Sequence, residues 1–370
     1  MLKKINFKHK KQYHRKKKNK KIILDEKKYN INILKIFKIF ILGFLFYVDL
    51  TFIRNKTDLY INTKVCLCAI IKKENQYIKF FIEHYKNLAY DHIFLYDNNG
   101  IFDEKVEDVI KNYIDNNFVT LIDYRGYRGH RNSPQMNAFY DCYDNNNKNY
   151  TWISFFDIDE YLVLKPEGIK IKKFLNKQRY KNWPIVKFNW LVFNDNEQTE
   201  YENKSFIERF TTKTKWLNSA KTIKSTFRGN LSLNNAKKSY SPHDIYSGIK
   251  SCTSSGLQTE EGVYHSPPDY KYGELRHYTR TISEYVNKLK RGRATTRLIL
   301  SKKNLRYYFE HFFVHNKKTE EKVKIFNEAF NTDFKWITKW KIFLIIFFDS
   351  FHFIYIFFIY ILINLIIKCI

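Results

Sequence analysis

Lys64 to Ile71 reads KVCLCAII, a short, almost wholly apolar run of the kind a strand buried on both faces shows. From Asn75 the period changes. Ile78, Phe81, Ile82, Tyr85 and Leu88 recur at steps of three and four, which predicts an amphipathic helix. His92 to Tyr96 (HIFLY) is a second strand, ending on the turn cluster Asp97-Asn98-Asn99-Gly100. Val106, Val109, Ile110 and Ile114 share one face of a second helix, and Val119 to Tyr124 forms a third strand. Ser133-Pro134 supplies an N-cap and a first-turn proline for a third helix through Met136, Phe139, Tyr140 and Tyr143. Thr151 to Phe156 completes a β-α-β-α-β-α-β order. That order predicts the α/β class: a doubly wound, mainly parallel sheet covered by helices on both faces. Ligands of such sheets bind at the carboxyl ends of the strands, where Asp97 and Asp157 fall.

The pattern loosens beyond Lys165. Pro184 to Phe193 (PIVKFNWLVF) is a further strand, whereas residues 194–262 are polar and irregular. Short helices are predicted over Ile282 to Leu289, starting at Thr281 or Ser283, and over Glu320 to Phe330. No internal repeat is present.

Two longer apolar stretches flank this body. Ile39 to Val48 reads IFILGFLFYV, and residues 31–53 together approach the ~20 residues that span a bilayer. Residues 342–367 are more apolar still, interrupted by Asp349 and His352, and read as a second transmembrane or membrane-associated segment. Charge changes this picture by its placement. Of the formal +28, the first 30 residues carry 13 Lys/Arg against Asp25 and Glu26. A basic tail beside an apolar segment fits a cytoplasmic flank and contact with anionic lipid, and it argues against a nucleic-acid binder. A signal anchor follows, with the body on the far side of the membrane. Hydrophobic content of 44% is enough for a sizeable core. Cys66 and Cys68 lie two apart on one strand and are poorly placed to bridge each other, no zinc spacing occurs, and the five cysteines leave the redox compartment open.

The chemistry concentrates in WISFFDIDEYLVL, residues 152–164. An apolar strand runs out of the core and ends on Asp157, Asp159 and Glu160. Two carboxylates at the end of one strand can converge on a hard divalent cation such as Mg²⁺ or Mn²⁺, which commonly bridges carboxylates to substrate phosphates. Such an ion neutralises charge developing on a departing diphosphate. The bland alternative is a solvated loop or a helix cap.

Four stretches, taken in order, resemble glycosyltransferase family 92, within the GT-A type transferases: residues 65–85, DHIFLYDNNG (91–100), WISFFDIDEYLVL, and LRHYTRTISEYVNKLKRG (275–292). The D-I-D-E-Y block is the most specific. The resemblance implies a GT-A-like domain over 64–335, with a Rossmann-like nucleotide-binding half (64–165) and an irregular acceptor half (184–292). It implies a metal-dependent, inverting enzyme that moves a sugar from a nucleotide sugar, such as UDP-galactose, to a glycan or glycoconjugate. Carried over by position, Glu74, Asp97 and Asp157 would contact the nucleotide. Asp157, Asp159 and His277 would hold Mn²⁺ or Mg²⁺, with His243 and His265 as rivals to His277. Asp244, Glu197 and Glu160 are the candidate general bases, and Arg276, Lys288 or Arg291 could steady the diphosphate. In a eukaryotic cell the implied place is the Golgi lumen, as a type II membrane protein. The chain departs from the family pattern at Lys73-Glu74, at His84 where a tryptophan is usual, and at Asn194-Asp195-Asn196 in place of a glycine-rich turn. The alternatives are another GT-A enzyme, such as a family 2 surface-glycan transferase, and an inactive scaffold with a transferase fold.

Overall fold

The computed structural model describes residues 35–48, 62–125, 133–214, 220–233, 236–259, 262–291, 308–309 and 318–332. The chain falls into two units, Met1–Asn62 and Thr63–Ile370. In the first, residues 35–48 form a helix. Its apolar side chains face outward on all sides, with Phe40 75% and Phe44 67% exposed. No helix among the described residues is long and apolar enough to cross a membrane. The basic tail, the ends of the expected anchor (31–34 and 49–53) and the segment 342–367 lie outside the described residues.

In the second unit the predicted order is present: β1 (Val65–Ile71), α1 (Asn75–Asn87), β2 (His92–Asp97), α2 (Glu107–Asp115), β3 (Val119–Asp123), α3 (Pro134–Asn146) and β4 (Trp152–Phe155). Alternation along β1 serves both layers. Val65, Leu67, Ala69 and Ile71 pack with Tyr77, Ile78, Phe81, Ile82 and Tyr85 of α1. Cys66, Cys68 and Ile70 pack with Met136, Phe139, Tyr140 and Tyr143 of α3. A disulfide joins Cys68 to Cys142, stapling β1 to α3. Ser133 caps α3, its Oγ accepting from Met136 N at 3.3 Å, as the Ser-Pro pair predicts.

The chain then departs from a simple doubly wound sheet. The next elements are β5 (Glu160–Leu164), α4 (Ile171–Leu175), β6 (Ile185–Phe193), α5 (Phe206–Arg209), β7 (Ile223–Arg228), β8 (Lys237–Ser241), β9 (Asp244–Ser247), β10 (Ser251–Cys252), β11 (Gly273–Tyr278), α6 (Ile282–Arg291) and α7 (Thr319–Phe330). One nine-stranded sheet runs β3-β2-β1-β4-β7-β6-β11-β5, with β10 pairing β6. The β3-β2-β1-β4 run is parallel. β7 is antiparallel to both β4 and β6, and β11 is parallel to β6 but antiparallel to β5. Most pairs of this sheet are parallel, as expected, but it is mixed: β7 and β5 enter it antiparallel. The irregularity expected of 194–262 is corrected, because β7 to β10 lie inside it. Gly229 ends β7 so close to the α3–β4 turn that a Cβ there would sit 2.0 Å from Tyr150 O and 2.3 Å from Asn147 O.

Candidate active site

β4 stops at Phe155 and β5 starts at Glu160, so WISFFDIDEYLVL is two strands joined by a tight turn. The turn closes on itself. Glu160 N donates to Asp157 O at 3.0 Å, and Asp157 N donates to Glu160 Oε2 at 2.9 Å. The three carboxylates then diverge to different partners.

Asp157 remains partly open, its side chain 32% exposed. It accepts from Gln135 Nε2 (2.5 Å) on α3 and from Lys224 Nζ (2.9 Å) on β7. Glu160 is wholly buried, accepting from the Trp190 indole N–H at 2.9 Å with Lys224 Nζ at 3.5 Å. Burial pushes its carboxyl up to about 8, against the pull of Lys224. Asp159 is buried among cations: Lys288 Nζ at 2.6 Å, Arg280 Nη2 at 3.4 Å and His277 Nε2 at 3.8 Å. Burial opposes its ionisation, but Lys288, Arg280 and then His277 outweigh it and hold the carboxyl well below the usual range.

Trp190 had no part in the sequence reasoning, yet it ties this group together. Its ring stacks on the His277 imidazole at 3.9 Å with the planes 10° apart, and its edge meets His243 at 5.2 Å. The N–H of the same indole goes to Glu160. The available signal was a tryptophan inside a mostly apolar strand, a residue with a polar edge that needs a buried acceptor. Lys224 and Gln135 were missed as well. A lysine in the middle of a strand is 0% exposed here only because two carboxylates wait for it.

The remaining sequence candidates separate. Glu74, at the N-cap position of α1, does not cap it with its side chain but spends both oxygens on arginines: Arg280 at 2.9 Å twice, and Arg291 at 2.5 Å. Asp97 is buried and accepts from Asn99 N at 3.0 Å, forming its own turn. Arg276 is taken by Glu274 at 2.9 Å, whereas Lys288 and Arg291 stand together beside Asp159 and Glu74. Of the base candidates, Glu160 has both oxygens engaged and no exposed surface, which closes it to an acceptor hydroxyl. Asp244 pairs with Lys187 at 2.8 Å, next to His243. Glu197 is exposed in a loop where Asn196 and Glu197 both adopt positive φ (48° and 64°), the conformation a glycine would otherwise supply. His265 is held through its backbone, its N–H donating to Lys221 O and its carbonyl accepting from Asn189 Nδ2.

For a divalent ion, the described residues offer no group of three His, Cys, Asp or Glu side chains. They do offer the pair Asp159–His277, and a hard cation is commonly held by one or two carboxylates with substrate phosphates completing its shell. Asp159, already met by Lys288 and Arg280, and His277 are thus the candidate donors for such an ion.

The family model of glycosyltransferase family 92 matches residues 62–312. The chain belongs to glycosyltransferase family 92. It is therefore a glycosyltransferase, and the resemblance read from the D-I-D-E-Y block is borne out. Among curated proteins there is no match. Among solved structures, the chain is similar to fragment 1–349 of TarS from S. aureus in complex with UDP-GlcNAc. That pair is 10% identical, with 73% of this chain and 72% of that one covered and a TM-score of 0.34. The same fragment in complex with UDP is 11% identical, covering 74% and 73%, at a TM-score of 0.32.

Proposed function

We propose that this family 92 transferase moves a sugar from a nucleotide sugar, a UDP-sugar such as UDP-galactose, to a hydroxyl of a glycan or glycoconjugate, with inversion. The observation that carries the reading is the β4–β5 turn. It presents a half-open Asp157 and a cation-bound Asp159 at the carboxyl end of the parallel strands, with His277 3.8 Å from Asp159. That is where α/β sheets bind nucleotides. Asp97 and Asp157 are the proposed nucleotide contacts. Asp159 and His277 would hold Mn²⁺ or Mg²⁺, which when bound supplies charge neutralisation at the diphosphate.

The chain's own groups supply the rest. Trp190 fixes the His277 ring, Lys224 and Gln135 fix Asp157, and Lys288 and Arg280 keep Asp159 ionised. Of the base candidates Glu160 is sealed and Asp244 is 5% exposed and paired with Lys187, so the exposed Glu197 is the first choice to take the acceptor proton and Asp244 the second. The exposed apolar side chains of residues 39–48 support a membrane anchor, because they need apolar surroundings. The Cys68–Cys142 disulfide supports folding in an oxidising, Golgi-type lumen.

The test is sugar transfer by the full chain, in detergent, from a panel of nucleotide sugars with Mn²⁺ or with chelator, beside Asp159→Ala. Turnover of one donor that fails with chelator and in the variant is expected. Absence of both turnover and nucleotide binding would sink the reading. Asp244→Asn and Glu197→Gln then separate the two bases, since only one should abolish transfer while leaving donor binding intact.

A further inference from the structure

The loop that carries Glu197 is held by a helix from the far end of the chain. β4, β6 and β11 run in one direction, since β7 is antiparallel to both β4 and β6, and β11 is parallel to β6. The loop that follows Phe193 of β6 therefore leaves the same rim of the sheet as the Asp157–Glu160 turn. Thr279 N donates to Phe193 O at 3.1 Å, so this loop adjoins the end of β11, where Arg280 meets Asp159. Asn196 and Glu197 both have positive φ, 48° and 64°. That backbone is uncommon for a residue as large as glutamate and persists only where the surroundings impose it. Asp195 imposes it. Its Oδ1 accepts from Glu197 N at 3.1 Å, and its carbonyl accepts from Gln198 N at 2.8 Å. Its Oδ2 accepts from the Tyr308 hydroxyl at 2.7 Å and pairs with Lys322 Nζ of α7 at 2.5 Å. Both side chains of that ion pair are 0% exposed. Val323 and Phe326 bury α7 in the core, against α6. Burial pulls the Lys322 ammonium below its ordinary value, while Asp195 and then Glu197 push it back up, so Lys322 feels both carboxylates. A buried ion pair is weak evidence of added stability; its best-attested use is to hold one geometry.

We infer that Lys322 is a positioning residue for sugar transfer: by clamping Asp195 from α7, it fixes the Asn196–Glu197 backbone and so aims the Glu197 carboxylate at the acceptor hydroxyl. The inference rests on the nucleotide-sugar reading with Glu197 as the base, and deepens it. In that step the acceptor oxygen bonds to the anomeric carbon, and the bond from that carbon to the diphosphate oxygen breaks, its electron pair leaving with the diphosphate. Glu197 takes the hydroxyl proton. Lys322 exchanges nothing and acts only through the loop.

The experiment is steady-state transfer by the full chain in detergent, from the donor of the nucleotide-sugar panel that the wild type turns over to a labelled oligosaccharide. Wild type, Lys322→Met, Glu197→Asp and the combined variant are compared, each with a thermal melt. Lys322→Met should lower kcat by about tenfold, within the cost of a misplaced catalytic group, and leave the donor KM within about twofold. Glu197→Asp has a carboxylate one methylene short and already misplaced. In that background the same Lys322→Met change should cost less than about threefold, because both changes act through one group. If Lys322→Met leaves Asp195 a lone buried charge and the protein does not fold, Asp195→Asn joined to Lys322→Met removes both charges and takes its place, with the same expectation. Wild-type kcat in the folded Lys322 variant would overturn the inference. So would an equal loss with and without Glu197→Asp, which would show Lys322 acting apart from Glu197. Wild-type transfer by Glu197→Gln would remove the base and the inference with it. Each of these leaves the donor reading intact. A wild type that neither transfers sugar nor binds nucleotide takes both down.

Discussion

The Trp190 indole lies flat on the His277 imidazole, ring centres 3.9 Å apart, while its N–H reaches Glu160 at 2.9 Å. One side chain of β6 thus sets the plane of a β11 histidine and satisfies a buried β5 carboxylate. Trp190→Phe keeps a stacking ring but leaves Glu160 short of a donor, at about 1–3 kcal/mol. Trp190→Leu removes the stack too. Turnover should fall by about tenfold in the first and about a hundredfold in the second, each tenfold being about 1.4 kcal/mol of barrier. Both should fall more in kcat than in KM, with melting measured alongside. Equal kcat per folded molecule across the three proteins would show that the stack does not position His277 for the reaction.

Asp157 and Asp159 sit two residues apart, yet their variants should behave differently. Asp159→Asn strips a buried carboxylate from buried Arg280 and from the partly exposed Lys288, and breaking a buried pair costs about 3–5 kcal/mol. Asp157→Asn loses a partly exposed partner of Lys224, which keeps Glu160 at 3.5 Å. Both should lose transfer, but only Asp159→Asn should lower the melting temperature markedly. The reverse order of melting temperatures would contradict the burial described for the turn.

Cys68 and Cys142 lie 74 residues apart in sequence, so their bond constrains a long loop of the unfolded chain. Cys142→Ala should cost about 2–5 kcal/mol and make the melt insensitive to reductant. A wild-type protein whose melt does not shift with reductant would argue that the bond does not form in the cell that made it.

His84 shows how acid should act. Its ring nitrogen Nε2 is bonded to Leu162 O at 2.9 Å, and burial lowers its pKa to about 4, with Arg276 acting in the same sense. The folded value lies below the unfolded one, near 6.5, so the contribution to stability is present above about 6.5 and is lost as pH falls through about 4. His84→Gln, which retains a donor for Leu162, should melt with a shallower dependence over that window. Parallel pH profiles for the two proteins would remove His84 from the account.

The first half of the fold was legible because its signals are local. Buried parallel strands read as apolar runs, helices show their period, and Ser133-Pro134 marks a start. β7 escaped because Lys224, Ser225 and Thr226 look like a loop; they are buried by partners far away in sequence, Asp157 for Lys224 and Ser154 for Thr226. The candidate site was legible as a turn of three carboxylates but not as three separate fates. What parts Asp157, Asp159 and Glu160 is which cation or indole each meets, and Lys224, Lys288 and Trp190 come from β7, α6 and β6.

The placement of β7 also bears on how the molecule is assembled. The strand follows β4 by some seventy residues but lies between β4 and β6, so neither half of the sheet is finished without it. A piece ending after residue 165 would expose the edge of β4 and leave Asp157 and Glu160 without their lysine. The donor and acceptor halves marked off along the sequence are thus not transplantable modules. A graft of one onto another transferase must carry β7 with it, and during synthesis the turn of carboxylates waits on a segment the ribosome delivers much later.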